Sequence, residues 1–172
     1  MGVFPVNIDR QVLKMEQLWA PWRFPYITSD RPPGCVLCDA AKERKDEKKL
    51  IVLRGEKNFI ILNAYPYNPA HVMVVPYSHV GSPGELNREE LADHIELVVK
   101  AIEALKKAFS PAGFNTGMNL GRVAGAGIED HIHTHVVPRW EGDTNFMPIL
   151  ADTRVLSESM ENVYRKLKEY LV

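Results

Sequence analysis

The stretch His131-Ile132-His133-Thr134-His135-Val136-Val137 puts an imidazole at every second position, with Ile132 and Thr134 between them and valines behind. Period-2 alternation is the pattern of a β-strand, whose successive side chains leave on opposite faces. On this reading His131, His133 and His135 stand in a row on one face, while Ile132, Thr134 and Val136 turn toward a packed interior. Near neutral pH an imidazole serves as nucleophile, proton carrier or metal ligand. Histidine is only moderately often buried and needs hydrogen-bond partners when it is. Three on one strand face therefore point to chemistry; the plainer alternative is three partly exposed rings on a strand edge.

The flanking sequence builds a fold around this strand. Leu50–Leu53 and Phe59–Leu62 are short apolar runs split by Arg54-Gly55-Glu56-Lys57-Asn58, the signature of a β-hairpin. Val72–Val75, bounded by Pro69 and Pro76, suggests a third strand, and Phe114–Leu120 another before the histidine strand at 131–138. Between them Leu91, Ile95, Val98, Ile102, Leu105 and Phe109 follow three-and-four spacing, predicting an amphipathic helix over 88–109. Asn87 caps it with Glu90 three residues on, and Pro111 and Gly113 close it. A last helix is expected over about 156–171, with Leu156, Met160, Val163, Leu167 and Leu171 on one face. Sequential strands with segregated helices give an α+β domain with an antiparallel sheet, one long helix and a C-terminal helix.

Bulk properties narrow the function classes. The 172 residues suit one domain, divided into an arm over 1–38, a catalytic core over 50–148 and a C-terminal helix over 155–172. A hydrophobic fraction of 45% and a charged fraction of 25% are globular values. The net charge of −1 gives no global pull toward nucleic acid or anionic membrane, and neither is expected as a partner. No apolar run approaches the ~20 residues that span a bilayer, and Met1–Arg10 lacks the apolar stretch of a signal peptide, so a cytoplasmic location is expected. The irregular segment 1–34 carries five prolines, with Trp19, Trp22, Phe24 and Tyr26 as anchors holding it to a surface. The polar residues 39–49 suggest a short helix or loop.

Two further constellations bear on chemistry. The connection ahead of the histidines contains Ala124-Gly125-Ala126-Gly127. Glycine lets backbone N–H groups come close to a ligand, and successive amides can form an anion nest; the alternative is a plain flexible hairpin loop. Cys35-Val36-Leu37-Cys38 holds the only two cysteines, too few for a disulfide framework. The pair is half a zinc site, a redox couple or two small core residues. A structural zinc takes four N/S ligands, and His79 and His131 are the candidates for the other two. Redox chemistry is the weakest of the three readings, because this C-x-x-C follows a proline-rich arm.

His131–Val137 resembles the histidine-triad pattern of alternating histidine and apolar residues closing on two apolar positions, with Thr134 the one departure. Asn63-Ala64-Tyr65-Pro66-Tyr67-Asn68-Pro69-Ala70-His71-Val72-Met73-Val74-Val75-Pro76 resembles the family's Asn…Pro-Gly-His-apolar-Pro block, with Ala70 in place of the usual glycine. Leu18-Trp19-Ala20-Pro21-Trp22-Arg23 with Tyr26-Ile27, the Gly34–Cys38 block, and Val137–Pro148 are similar to the bacterial and archaeal diadenosine tetraphosphate phosphorylase-like branch, near the fragile-histidine-triad hydrolases.

The resemblance implies cleavage of a dinucleoside polyphosphate at its α-phosphate, in a homodimer. It makes His133 the nucleophile that forms a nucleotidyl-imidazole, His135 a contact to α-phosphate oxygens, and His131 a zinc ligand with Cys35, Cys38 and His79. It places His71 behind the triad as a support, Asn63 at the nucleoside sugar, Asn119, Gly125 and Gly127 near the phosphates, and Trp140 near an incoming phosphate. Gly127 stands where the hydrolase branch carries Gln and mycobacterial-type phosphorylases carry Ser, which leaves water or phosphate as acceptor open. The leaving group's general acid is His131 or a water. A nucleoside phosphoramidase and a non-catalytic nucleotide-binding regulator are the competing readings.

Other residues read as scaffold. Arg122, Glu129 and Asp130 are expected in solvent or in structural roles, His94 on the helix surface beside Asp93, and Lys42–Lys49 as a solvated segment of mixed charge.

Overall fold

A computed structural model of the chain describes residues 34–143 and 158–171. The aromatic arm over 1–33, the motif at 18–27, Thr144–Pro148 and Leu156 lie outside the described residues.

Five strands form one antiparallel sheet: β1 (Ile51–Arg54), β2 (Asn58–Leu62), β3 (Val72–Pro76), β4 (Gly113–Met118) and β5 (Thr134–Arg139), in the order β1-β2-β3-β5-β4. Two short helices precede it, α1 (Val36–Lys42) and α2 (Asp46–Lys49); α3 (Arg88–Phe109) lies between β3 and β4, and α4 (Met160–Tyr170) ends the described chain. This is the α+β arrangement expected from the sequence.

The apolar runs of β2 and β3 do not alternate because both faces of these strands are buried. On one face Val52, Ile60, Leu62, Val72, Val74 and Val136 pack under Leu97, Val98, Ala101, Ala104 and Leu105 of α3 and Val163 and Leu167 of α4. On the other, Ile51, Phe59, Ile61, Met73 and Val75 meet Leu37 and Ala40 of α1. The sheet thus holds α1, with its cysteines, on the face opposite the long helix.

The α3 boundaries match the expected 88–109, and Asn87 and Glu90 form the reciprocal capping box. Its buried stripe is rotated from the expected one. His94, Leu97, Val98, Ala101, Ala104 and Leu105 face the sheet, whereas Leu91 and Ile95 face out. Two alanines let the helix lie close, and a hydrogen bond from His94 to Asn58 of β2 fixes its rotation. A pattern weighted toward large apolar residues passes over both features.

Ala70, in the block where the family pattern has glycine, sits at φ +59°. This left-handed conformation costs an L-residue about 1–2 kcal/mol. Its methyl is buried among Val72 and the α3 side chains, which returns about 0.8 kcal/mol. That partial offset is how alanine is tolerated there.

Candidate active site

The histidine segment departs from a continuous strand. β5 begins at Thr134 rather than at His131. In the β3–β5 register Met73 faces His135 and Val74 faces Thr134, so continuing the ladder would bring Pro76 opposite Ile132. Proline has no N–H to offer a ladder, and Ile132 N–H goes instead to Val80 O at 2.8 Å. His131 and His133 therefore lie in a lead-in segment, and their rings diverge: His131 turns toward the cysteines, and His133 packs edge-on to His135 with centroids 4.9 Å apart.

The hydrogen bonds assign the proton on each ring. Tyr67 N–H can only donate, and it lies 3.1 Å from His71 Nδ1, so that nitrogen accepts; Asn63 Nδ2 reaches the same atom at 3.3 Å. Burial, with His135 and His133 alongside, pushes the His71 pKa down to about 3, so the ring is neutral and its proton sits on Nε2. Nε2–H then donates to His135 Nδ1 at 3.0 Å. His135 is also held neutral, burial and His133 lowering its pKa to about 4, so its own proton sits on Nε2. That Nε2–H faces the Nδ2 of Asn119 at 3.5 Å.

His133 Nδ1 lies 2.9 Å from the carbonyl of His131, which can only accept, so Nδ1 carries the proton and Nε2 keeps its lone pair. Among the described residues no hydrogen bond occupies that Nε2. His133 is 6% exposed where His131 is wholly buried. Across the sheet, Gly117 of β4 is the register partner of His135. A side chain built there would meet nothing within 4 Å, so open space adjoins the His135 ring.

A second cluster lies beside this one. Cys35 is the N-cap of α1 and Cys38 lies one turn on. Arg54 holds the far end of that helix, donating to Ala41 O at 2.7 Å and Glu43 O at 2.8 Å while pairing with Asp46. His131 Nδ1 is 3.2 Å from Cys35 Sγ and 3.4 Å from Cys38 Sγ; His79 Nδ1 is 3.3 Å from Cys38 Sγ and 3.2 Å from His131 Nδ1. Ser78 donates to the Glu90 carboxylate and so ties the His79 segment to the start of α3. All four candidate ligand atoms lie within 4.8 Å of one another. Tetrahedral Zn–S and Zn–N bonds of about 2.3 and 2.0 Å require ligand separations of about 3.3–3.8 Å, and these spacings fit. His131 Nε2–H donates to Pro76 O at 2.9 Å, the outer-shell bond that fixes a ligating tautomer. A zinc held on Nδ1 would leave His131 with only this Nε2–H, which is already committed to Pro76 O.

The amides of Ala124, Gly125 and Ala126 close their own turn, onto Gly121 O, Arg122 O and Gly121 O at 3.2, 3.0 and 3.3 Å. These three amides, Gly125 among them, are taken up by a 3₁₀ turn over Arg122–Ala124; Gly127 lies beyond that turn. Trp140 donates its indole N–H to Phe109 O at 3.3 Å, at the end of α3. It lies five residues beyond His135, just past the end of β5. Arg122, Glu129 and Asp130 are exposed, as expected.

His94 was expected on the surface and is 1% exposed. Its Nδ1 is 2.7 Å from Asn58 Oδ1 and its Nε2 2.7 Å from Thr134 Oγ1, and burial lowers its pKa. No local signal marks it, because its partners are 36 and 40 residues away in the chain.

This sheet, with a long helix on one face and paired imidazoles beside a Cys/His cluster on the other, defines the histidine-triad class of α+β domain. The HIT domain family is matched over residues 44–142, more than half of the sequence, and the chain belongs to that family. It is 38% identical to a Mycobacterium tuberculosis protein called AP-4-A phosphorylase over 162 residues, covering 90% of this chain and 83% of the relative. Among solved structures it resembles a Zn-bound histidine triad family protein from Mycobacterium smegmatis, with TM-score 0.64 and 25% identity over 80% of this chain and 93% of that one. It also resembles a histidine triad nucleotide-binding protein from Sulfolobus tokodaii, with TM-score 0.62 and 27% identity, covering 80% and 89%.

Proposed function

We propose that the protein is a nucleotidyl-transferring enzyme that cleaves a dinucleoside polyphosphate, diadenosine tetraphosphate being the type substrate, at the α-phosphate. The observation that carries this reading is His133, whose Nδ1–H is fixed on His131 O so that Nε2 presents a lone pair. The Nε2 attacks the α-phosphorus, the P–N bond forms, and the bridging oxygen leaves with the remaining polyphosphate. An acceptor oxygen then attacks the same phosphorus, the P–N bond breaks, and His133 recovers its lone pair. Dividing one displacement into two is the advantage of covalent catalysis.

His135 Nε2–H and the side-chain amide of Asn119, 3.5 Å apart, are neighbours that could both contact a non-bridging phosphate oxygen, where charge spreads in the transition state. Asn63 lies on the far side of His71, where the family resemblance puts a sugar contact. Inorganic phosphate is the favoured acceptor, supported by the name of the 38%-identical relative; water is the alternative. One zinc bound by Cys35, Cys38, His79 and His131 would hold α1 against the histidine segment and supply structure rather than chemistry.

The reading includes a homodimer. β4 has a neighbour on one side only, so its outer edge pairs with no described strand. On α3, Leu91, Ile95 and Val99 are 37%, 59% and 54% exposed. Light scattering at micromolar concentration tests the oligomeric state. Among the described residues no helix is long and apolar enough to cross a membrane.

The deciding experiment is incubation with diadenosine tetraphosphate, with and without inorganic phosphate, followed by chromatography. ADP and ATP formed only with phosphate establish phosphorolysis, and AMP and ATP establish hydrolysis. No product from this substrate, with AMP released from an adenosine phosphoramidate, would replace the reading with a phosphoramidase. His133→Ala is expected to bind nucleotide and turn nothing over.

A further inference from the structure

A continuous polar chain crosses the interior from α3 to the histidine segment. Asp93 Oδ2 accepts from Lys57 N–H at 3.1 Å and from Asn58 Nδ2 at 2.7 Å, and the same Asn58 amide donates to Glu90 O at 3.1 Å. With its amide nitrogen donating, Asn58 turns Oδ1 toward His94 and accepts from Nδ1–H. The neutral ring then has only a lone pair on Nε2, and the Thr134 hydroxyl donates to it. Asn58 and His94 are both wholly buried, and the amide nitrogen and oxygen of Asn58 and both ring nitrogens of His94 have partners. A buried network with every member satisfied is rigid.

Thr134 is the residue between His133 and His135, and it is the first residue of β5. Its backbone is gripped by the ladders to Val74 and Met118, and its hydroxyl is the last tether before the chain leaves the sheet. His133 belongs to the segment that leaves, where the register past Val74 is blocked by Pro76. The typical histidine-triad pattern has an apolar residue where this chain has Thr134, so the tether belongs to this sequence.

We propose that His94 is a positioning residue which, through the Thr134 hydroxyl, fixes the start of β5 and thereby holds His133 in the orientation that keeps Nδ1–H on His131 O. This rests on the reading of His133 as nucleophile. It makes the opposite face of the sheet, ahead of any ligand, part of the catalytic geometry.

The test uses the full-length protein with Thr134→Val, which keeps the shape and removes the hydroxyl, and Thr134→Ser, which keeps the hydroxyl. With diadenosine tetraphosphate and phosphate, Thr134→Val is expected to lower kcat about tenfold or more, the scale of an outer-shell loss, with KM changed less than about twofold. Thr134→Ser is expected to recover most of the rate. Long-range ¹H–¹⁵N spectra of the imidazoles give a readout free of substrate: a single Nδ1–H tautomer for His133 in the parent and in Thr134→Ser, and a mixture in Thr134→Val. An unchanged kcat in Thr134→Val, a Thr134→Ser no better than Thr134→Val, or a His133 tautomer that ignores all three sequences would overturn the proposal. A parent protein inactive on every nucleotide tried sinks the functional reading instead, and the imidazole spectra still judge the tether.

Discussion

His71 Nε2 lies 3.0 Å from His135 Nδ1, and the backbone N–H of Tyr67 on the far side of His71 decides which nitrogen carries the proton. A backbone amide thus sets the tautomer of one ring, which sets that of the next, and the last N–H emerges beside Asn119. His71→Phe would keep bulk and remove the donor. His135 Nδ1 would then be free to take the proton, and the N–H facing the phosphate site would be lost in part of the population. The expected result is a fall in kcat/KM of about 10–100-fold. In imidazole ¹⁵N spectra the His135 proton should move from Nε2 toward Nδ1. A His135 that keeps its Nε2 proton without His71 would refute the relay.

The metal cluster supports a separate expectation. Four candidate ligand atoms within 4.8 Å of one another should hold one zinc per chain, and Cys35→Ser should release it. Metal-coupled folding makes the release a stability loss, because α1 is held to the sheet by Arg54 and this cluster. Elemental analysis of the purified protein, with melting temperature measured before and after chelation, checks both parts. Metal-free protein with an unchanged melting temperature would return the cysteines to packing residues.

Much of this was legible in the sequence. Strands β1, β2 and β3, the helix Arg88–Phe109 with its capping box, and the gathering of Cys35, Cys38, His79 and His131 all follow from local pattern and spacing. What escaped depends on register or on distant partners. That β5 starts at Thr134 follows from Pro76 falling opposite Ile132, which is known only once β3 and β5 are aligned. His94 reads as surface beside Asp93 because nothing nearby announces Asn58 or Thr134. That the amides of Ala124, Gly125 and Ala126 in the glycine-rich loop close their own turn is likewise visible only in the fold.

Buried neutral histidines make the fold sensitive to acid. Burial lowers the pKa of His71 from 6.5 to about 3 and that of His135 to about 4, and that of His94 is lowered too. The unfolded chain therefore binds more protons than the folded one below about pH 6.5, and stability is full above that value and lost as pH falls. Each such histidine contributes a slope of up to about 1.4 kcal/mol per pH unit until its folded pKa is reached. Urea denaturation at fixed pH between 7 and 4 should show the decline, and His71→Phe should make it shallower. A flat profile over this range would mean that these rings are charged in the folded state.

Gly55 turns the β1–β2 hairpin, donating its N–H to Asn58 O at 2.8 Å. A methyl group there would lie 2.8 Å from that carbonyl and 2.9 Å from Leu97 Cδ2. The carbonyl is backbone and cannot give way, while Leu97 of α3 is packed in the core against the sheet. Gly55→Ala is expected to cost about 1–3 kcal/mol, the range of overpacked interiors. Thermal and urea unfolding should agree on the loss, and a variant as stable as the parent would show that the hairpin can shift as a unit.

Gly117 calls for the opposite result. It is the cross-strand partner of His135, and directly opposed residues present their side chains on one face. A Cβ built on Gly117 meets nothing, whereas one on Gly55 meets backbone. Its backbone is ordinary strand, which a β-branched residue suits. Gly117→Val should therefore fold with a melting temperature near that of the parent. Its two methyl groups would project into the open space beside the His135 ring, where the proposed reaction puts the nucleotide. A rise in KM for diadenosine tetraphosphate of about tenfold or more is expected, the scale on which a filled pocket rejects its ligand, with zinc content unchanged. If Gly117→Val binds and turns over nucleotide like the parent, the substrate does not lie against β4, and the phosphate must approach His133 from another side.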